Sequence, residues 1–183
     1  MGYNLSMNTI SFVKSCIERV REMYYKSLNG LNLKQILFLP GDQSNNIAWL
    51  SWHMTRGYDR RVSLILNDEQ QWLTEGWYKS YNLSESYTTL GIGHTMEDVK
   101  TIKPNNLEVL VDYFESVYQK MCLEFNNNLE INYKSEIKET NNTYEYELMR
   151  MVAATLQHVG QINYIRGIVE NKIWYTGSIN EKR

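Results

Sequence analysis

At 183 residues, 43% of them hydrophobic, the chain is long enough to bury one substantial core and too short to expect two. Its 19 basic and 21 acidic residues leave a net charge of −2, which gives no electrostatic reason to expect nucleic acid as a partner. No stretch approaches the roughly 20 apolar residues of a membrane span, and no basic flank leads into an apolar run at the N-terminus. Cys16 and Cys122 stand alone, without a CxxC or finger spacing, which fits a reducing compartment, so the expectation is a soluble cytoplasmic protein.

The first predicted helix carries Ile10, Val13, Ile17, Val20, Tyr24 and Leu28 at steps of three and four, with Asn8 or Thr9 as cap and Gly30 as stop. Pro40-Gly41 then breaks the pattern, and polar residues lead into a second helix at about Asn45–Asn67. Its stripe is Ile47, Leu50, Met54, Tyr58, Val62 and Ile65, with His53 one step to the side, walled by Trp49 and Leu50. The cluster Arg56, Arg60 and Arg61 reads as a solvated face of that helix. Residues 68–104 lose the helical period but carry Trp72, Trp77, Tyr78, Tyr81 and Tyr87, too many aromatics for a disordered segment. They read as an ordered excursion, with Thr95 capping a short helix through Thr101 and His94 on its rim. A third long helix follows Pro104, capped by Asn105, with Leu107, Leu110, Phe114, Val117, Met121 and Phe125 as its stripe. Residues 131–133 are a short extended stretch at most.

The fourth helix, Tyr144–Asn171, sets Leu148, Met151, Thr155, His158, Ile162, Ile165 and Val169 in one seam. His158 therefore faces the core, where an imidazole needs a hydrogen bond or a metal. The plainer reading of His53 and His158 is a pair of satisfied core histidines. Four amphipathic helices without a strand ladder make the expected fold all-α, a four-helix bundle over residues 1–176, with 177–183 a frayed tail.

The segments NNIAWLSWHMTRGYDRRV, QWLTEGWYKSYNL with GIGHTMEDV, and LQHVGQINYIRG occur in an order and spacing that resemble the DinB-like superfamily, from about Leu31 to Tyr175. The resemblance implies a bundle with an up-down-down-up course, often dimeric, and a divalent metal, zinc or nickel. Its ligands are one His on the second helix and a pair spaced four apart on the last. The first and final ligands look like His53 and His158, and the middle one should be residue 154. That residue is Ala154, which has no donor atom. Three protein ligands plus a water make an open zinc site, whereas two imidazoles alone hold zinc poorly. A replacement ligand would come from His94, Glu115, Asp112, Thr155, Gln157 or Cys122.

Two functions follow from the resemblance. In one the site is degenerate, without a metal, and a small molecule binds in a pocket walled by Trp49, Trp52 and Trp72, with His94 and Gln161 at its edge. In the other the protein is a metal-dependent thiol transferase, in which the metal activates a low-molecular-weight thiol against a small electrophile and Gln161 or Tyr164 positions the substrate. Either way a homodimer is expected, and neither nucleic acid nor membrane.

Overall fold

Twenty residues, Thr9–Leu28, form α1, opened by Asn8, whose side chain accepts from the Ser11 backbone N–H at 2.8 Å. Its predicted stripe is buried from Val13 to Leu28, and Gly30, at φ +81°, turns the chain away in the left-handed region. The computed structural model describes residues 8–126 and 131–174. One further turn, α2 (Leu33–Ile36), lies where the sequence showed only an interruption. Its signal was a reciprocal cap between Asn32 and Gln35, too short a feature for periodicity to reveal.

Next comes α3 (Ile47–Leu66), capped by Asn46, and it is buried on most of its circumference. The excursion is ordered as expected, built from α4 (Gln71–Thr74), a 3₁₀ turn (Trp77–Tyr81) and α5 (Met96–Thr101). Thr95 caps α5 in a reciprocal box with Asp98. Asp59 of α3 holds the excursion in place: its carboxylate accepts from the backbone N–H groups of Gln71 and Trp72 at 2.9 and 2.8 Å and from the Tyr113 hydroxyl at 2.8 Å.

The cap of α6 (Glu108–Asn126) differs from the expected one. Asn106, not Asn105, accepts from the Val109 N–H at 3.1 Å, while Asn105 accepts from the Asn82 side chain at 2.8 Å. The extended stretch also falls later than expected, as an antiparallel pair of two-residue strands, β1 (Glu136–Ile137) and β2 (Asn142–Thr143), with Ile137 opposite Asn142. Thr143 then caps α7 (Tyr144–Glu170), which ends at Asn171 in the left-handed region.

Among the described residues the fold is all-α apart from that short ladder. The closest packing joins α3 to α7; α1 lies beside α7, and α6 beside α3 and α1. Their stripes make one apolar core, from Val13 on α1 to Ile165 on α7. Arg166 ties α7 to α1 by donating from Nη1 to the carbonyls of Lys26 and Ser27, both at 2.8 Å, at the negative end of the α1 dipole. Trp174 folds back beneath the Arg166 guanidinium, 3.7 Å from the ring centre. The expected frayed tail, 177–183, lies outside the described residues. Among those described, no helix is long and apolar enough to cross a membrane.

Candidate functional site

Because α3 and α7 run antiparallel, residues whose numbers sum to about 208–211 meet along the groove between them. Leu50 and Gln161 line one cavity, His53 meets His158, and Arg61 pairs with Glu147. The two imidazoles lie edge to face, with centres 4.8 Å apart and planes at 82°. His158 is not in the middle of the buried stripe. That stripe runs Met151, Thr155, Val159, Ile162, Arg166, so Val159 takes the core position and His158 sits half-buried at the rim beside it. The 3.6-residue period makes both assignments compatible with the sequence, and packing selects the second.

Each ring is held by its Nδ1. The His53 Nδ1 meets the carbonyl of Leu90, which can only accept, so Nδ1 carries the proton and Nε2 keeps a lone pair. The His158 Nδ1 likewise donates to Gln161 Oε1 at 2.8 Å. Gly91 makes the first of these bonds attainable: at φ +87°, a Cβ on it would stand 2.8 Å from Trp52 Cζ3 and 2.9 Å from Trp49 Cζ2. Burial lowers the pKa of both histidines, and the nearby Arg61 guanidinium lowers them further. Both are therefore neutral at pH 7, with free Nε2 lone pairs.

Behind them stands the aromatic wall. Trp49 stacks on His53 at 4.7 Å and 10°, and its Nε1–H donates to His94 Nδ1 at 3.1 Å. His94 then uses Nε2–H toward the Tyr87 hydroxyl at 3.4 Å and stacks on Trp52 at 5.6 Å. Both of its nitrogens are occupied. Trp52 is fully buried, and Trp72 lies one ring deeper, 6.5 Å from it, donating to the Tyr87 carbonyl. Of the expected ligand-binding residues, Trp49 touches the histidine pair through His53 and Gln161 through His158, while Trp52 and Trp72 support from behind.

The remaining expected ligands lie elsewhere. The Thr155 hydroxyl returns to the carbonyls of Met151 and Val152 on its own helix, at 2.8 and 3.0 Å. Glu115 is held by Arg21 at 2.7 Å and by Tyr25. Asp112 borders a cavity between α1 and α6 with Tyr25 and Leu107, and Cys122 packs near Tyr58 and Tyr118. Gln157 lines the cavity of about 440 Å³ between α3 and α7, with Leu50, Gly160, Gln161, Tyr164 and Ile165. Among the described residues no His, Cys, Asp or Glu joins His53 and His158 as a third ligand.

A cation stands close by instead. Gly57 lies one helical turn along α3 from His53, as Ala154 does along α7 from His158, and the Arg61 side chain folds back so that Nη1 donates to the Gly57 carbonyl at 2.9 Å. That nitrogen would lie 3.1 Å from a Cβ on Gly57. Arg61 Nε is 3.4 Å from the buried Glu147, and the arginine side chain is only 12% exposed. Arg61 is thus not on a solvated face, and neither is Arg56, which is 1% exposed and donates to Gln70 and the Thr88 carbonyl. The sequence did carry a signal for Arg61, eight residues after His53 and so on the same side of its helix. It became readable only once the antiparallel register with α7 was known. As a donor set, two imidazoles beside a guanidinium do not fit a three-ligand metal centre.

No family model matches the chain, and no curated protein matches it either. Among solved structures it is similar to the crystal structure of the conserved protein of a locus from Enterococcus faecalis, at 20% identity and a TM-score of 0.79. That match covers 91% of this chain and all of the other. At this identity the likeness is one of fold alone.

Proposed function

We propose that this chain is a DinB-like four-helix bundle, with α1, α3, α6 and α7 running up-down-down-up, whose metal centre has become a metal-free small-molecule site between α3 and α7. The observation that carries this reading is the Arg61 guanidinium folded back over Gly57, one helical turn from His53. A dication one helical turn (about 6 Å) from a guanidinium meets roughly 5 kcal/mol of repulsion at an effective dielectric of 20. Glu147, beyond the guanidinium, offsets only part of that. Two neutral imidazoles with free Nε2 atoms instead suit a ligand that donates a hydrogen bond, and the neighbouring cavity suits an apolar body. Trp49 stacked on His53 holds that ring rigid. A cytoplasmic homodimer belongs to the same reading, and light scattering on the purified protein tests the dimer.

A second reading, a zinc- or nickel-dependent thiol transferase acting on a small electrophile, is favoured by one observation. The Leu90 carbonyl and Gln161 fix Nδ1 on both rings in the manner of supporting groups around metal ligands. It requires a third ligand that the described residues do not supply.

Rebuilding the family's ligand set tests the first reading. Ala154→His combined with Arg61→Gln is expected to take up about one zinc per chain, and Ala154→His alone is expected to bind it at least tenfold more weakly. Zinc uptake by the double variant no better than that of the unaltered protein contradicts the idea of a lapsed metal centre.

A further inference from the structure

The Arg61 guanidinium has five N–H donors, and among the described residues it makes one hydrogen bond, to the Gly57 carbonyl. Its Nε is buried without a hydrogen-bond partner, standing 3.4 Å from Glu147. The remaining N–H donors are not sealed in the core but open from it, so they are available to an incoming acceptor. Arg150, exposed on α7 one turn beyond Ala154, adds a second positive charge near His158 and forms no ion pair among the described residues. Against Arg61 and Arg150 stands one carboxylate, Glu147, which also accepts from Asn142 at 2.8 Å. The lower groove is therefore net positive.

Three chemically different levels follow one another along α3 and α7. The guanidinium lies at the level of Gly57, the imidazoles one turn above, and the apolar cavity with Leu50, Tyr164 and Ile165 above those. Seven residues at 1.5 Å separate the first level from the last, a span of about 10 Å. Resting on the metal-free reading above, we propose that the groove binds a small 2-hydroxy or 2-amino carboxylic acid. Its carboxylate would lie on Arg61 and Arg150, its hydroxyl or amino donor between His53 and His158, and its apolar chain in the cavity. A metal cation or a neutral apolar molecule would leave the guanidinium donors unused; this ligand satisfies them and both imidazoles together.

The test titrates isotope-labelled full-length protein at pH 7.5 with 2-hydroxyhexanoate, hexanoate, hexanol and hexylamine, following the His53 and His158 ring signals and the Gln161 side-chain amide. 2-Hydroxyhexanoate is expected to bind about tenfold or more tightly than hexanol, with hexanoate between them and hexylamine weakest. Arg150→Gln, an exposed change that leaves the core intact, is expected to weaken both carboxylates several-fold and leave hexanol unchanged. Arg61→Gln with Glu147→Gln, which removes both partners of the buried pair, should abolish the preference. Equal binding of hexanol and 2-hydroxyhexanoate, a preference for hexylamine, or a carboxylate preference that survives in both variants overturns the acid while the small-molecule site stands. If none of the four moves these signals, the acid and the small-molecule site fall together; stoichiometric zinc in the unaltered protein removes the metal-free reading by itself.

Discussion

His53 keeps its proton on Nδ1 because the Leu90 carbonyl has no proton to give, and that single bond decides what the other face of the ring can do. Burial depresses the pKa of His53 and His158 below the unfolded value of about 6.5, so below that pH the unfolded chain binds more protons than the folded one. Their contribution to stability is complete above the unfolded pKa and is lost as pH falls toward the lower folded values. Arg61, Arg150 and His94, the other basic groups around the pair, act in the same direction. Melting temperatures between pH 7.5 and 5 should therefore decline, and more shallowly for the His53→Gln/His158→Gln variant; an unchanged slope contradicts the assignment. Gly91→Ala is a second test at this scale. Its left-handed φ and the 2.8 Å approach to Trp52 predict a loss of about 1–3 kcal/mol, with altered tryptophan fluorescence, measured by denaturant titration. His53 and His158 were legible in the sequence as a pair from residue type and spacing, although the depth of His158 was not, and Ala154 stood out only through the family resemblance. Arg61 and Glu147 were not, because a charged residue on a helix looks solvated until its neighbour across the groove is known.

At the scale of elements, the excursion between α3 and α6 is fastened by one carboxylate. Asp59, fully buried, accepts from two N–H groups of α4 and from Tyr113, and lies 3.8 Å from the buried Arg56. Arg56 in turn holds Gln70 and the Thr88 carbonyl, so both the start of the excursion and the stretch just before Leu90 depend on this pair. Asp59→Ala leaves a buried guanidinium uncompensated and is predicted to cost about 3–5 kcal/mol in urea unfolding. It should also loosen the carbonyl that orients His53, seen as a shift in the His53 ring signals; a change within 0.5 kcal/mol, roughly the size of a surface substitution, contradicts this account. The long helices were legible because each repeats its apolar positions over five or six turns. The single turn α2 and the two-residue strands were not, since neither is long enough to repeat a helical or alternating pattern.

Over the whole molecule, α3 packs between α6 and α7, and these two neighbours divide the work. The α6 side is closed by Tyr113, Phe114 and Trp72, whereas the α7 side holds the imidazoles, the guanidinium and the cavity. That division explains why an all-α fold could be expected from stripes while the nature of the site could not. Stripes report which faces are buried, but the site depends on the register between two helices, which brings Leu50 and Gln161 to one cavity, His53 against His158 and Arg61 against Glu147. The account stands on the claim that this groove holds no metal in the unaltered protein. The most direct measurement is zinc and nickel per chain in protein purified without a polyhistidine tag, alongside the His158→Ala variant. The account predicts far less than one metal per chain in both; close to one in the unaltered protein, lost in His158→Ala, would contradict it.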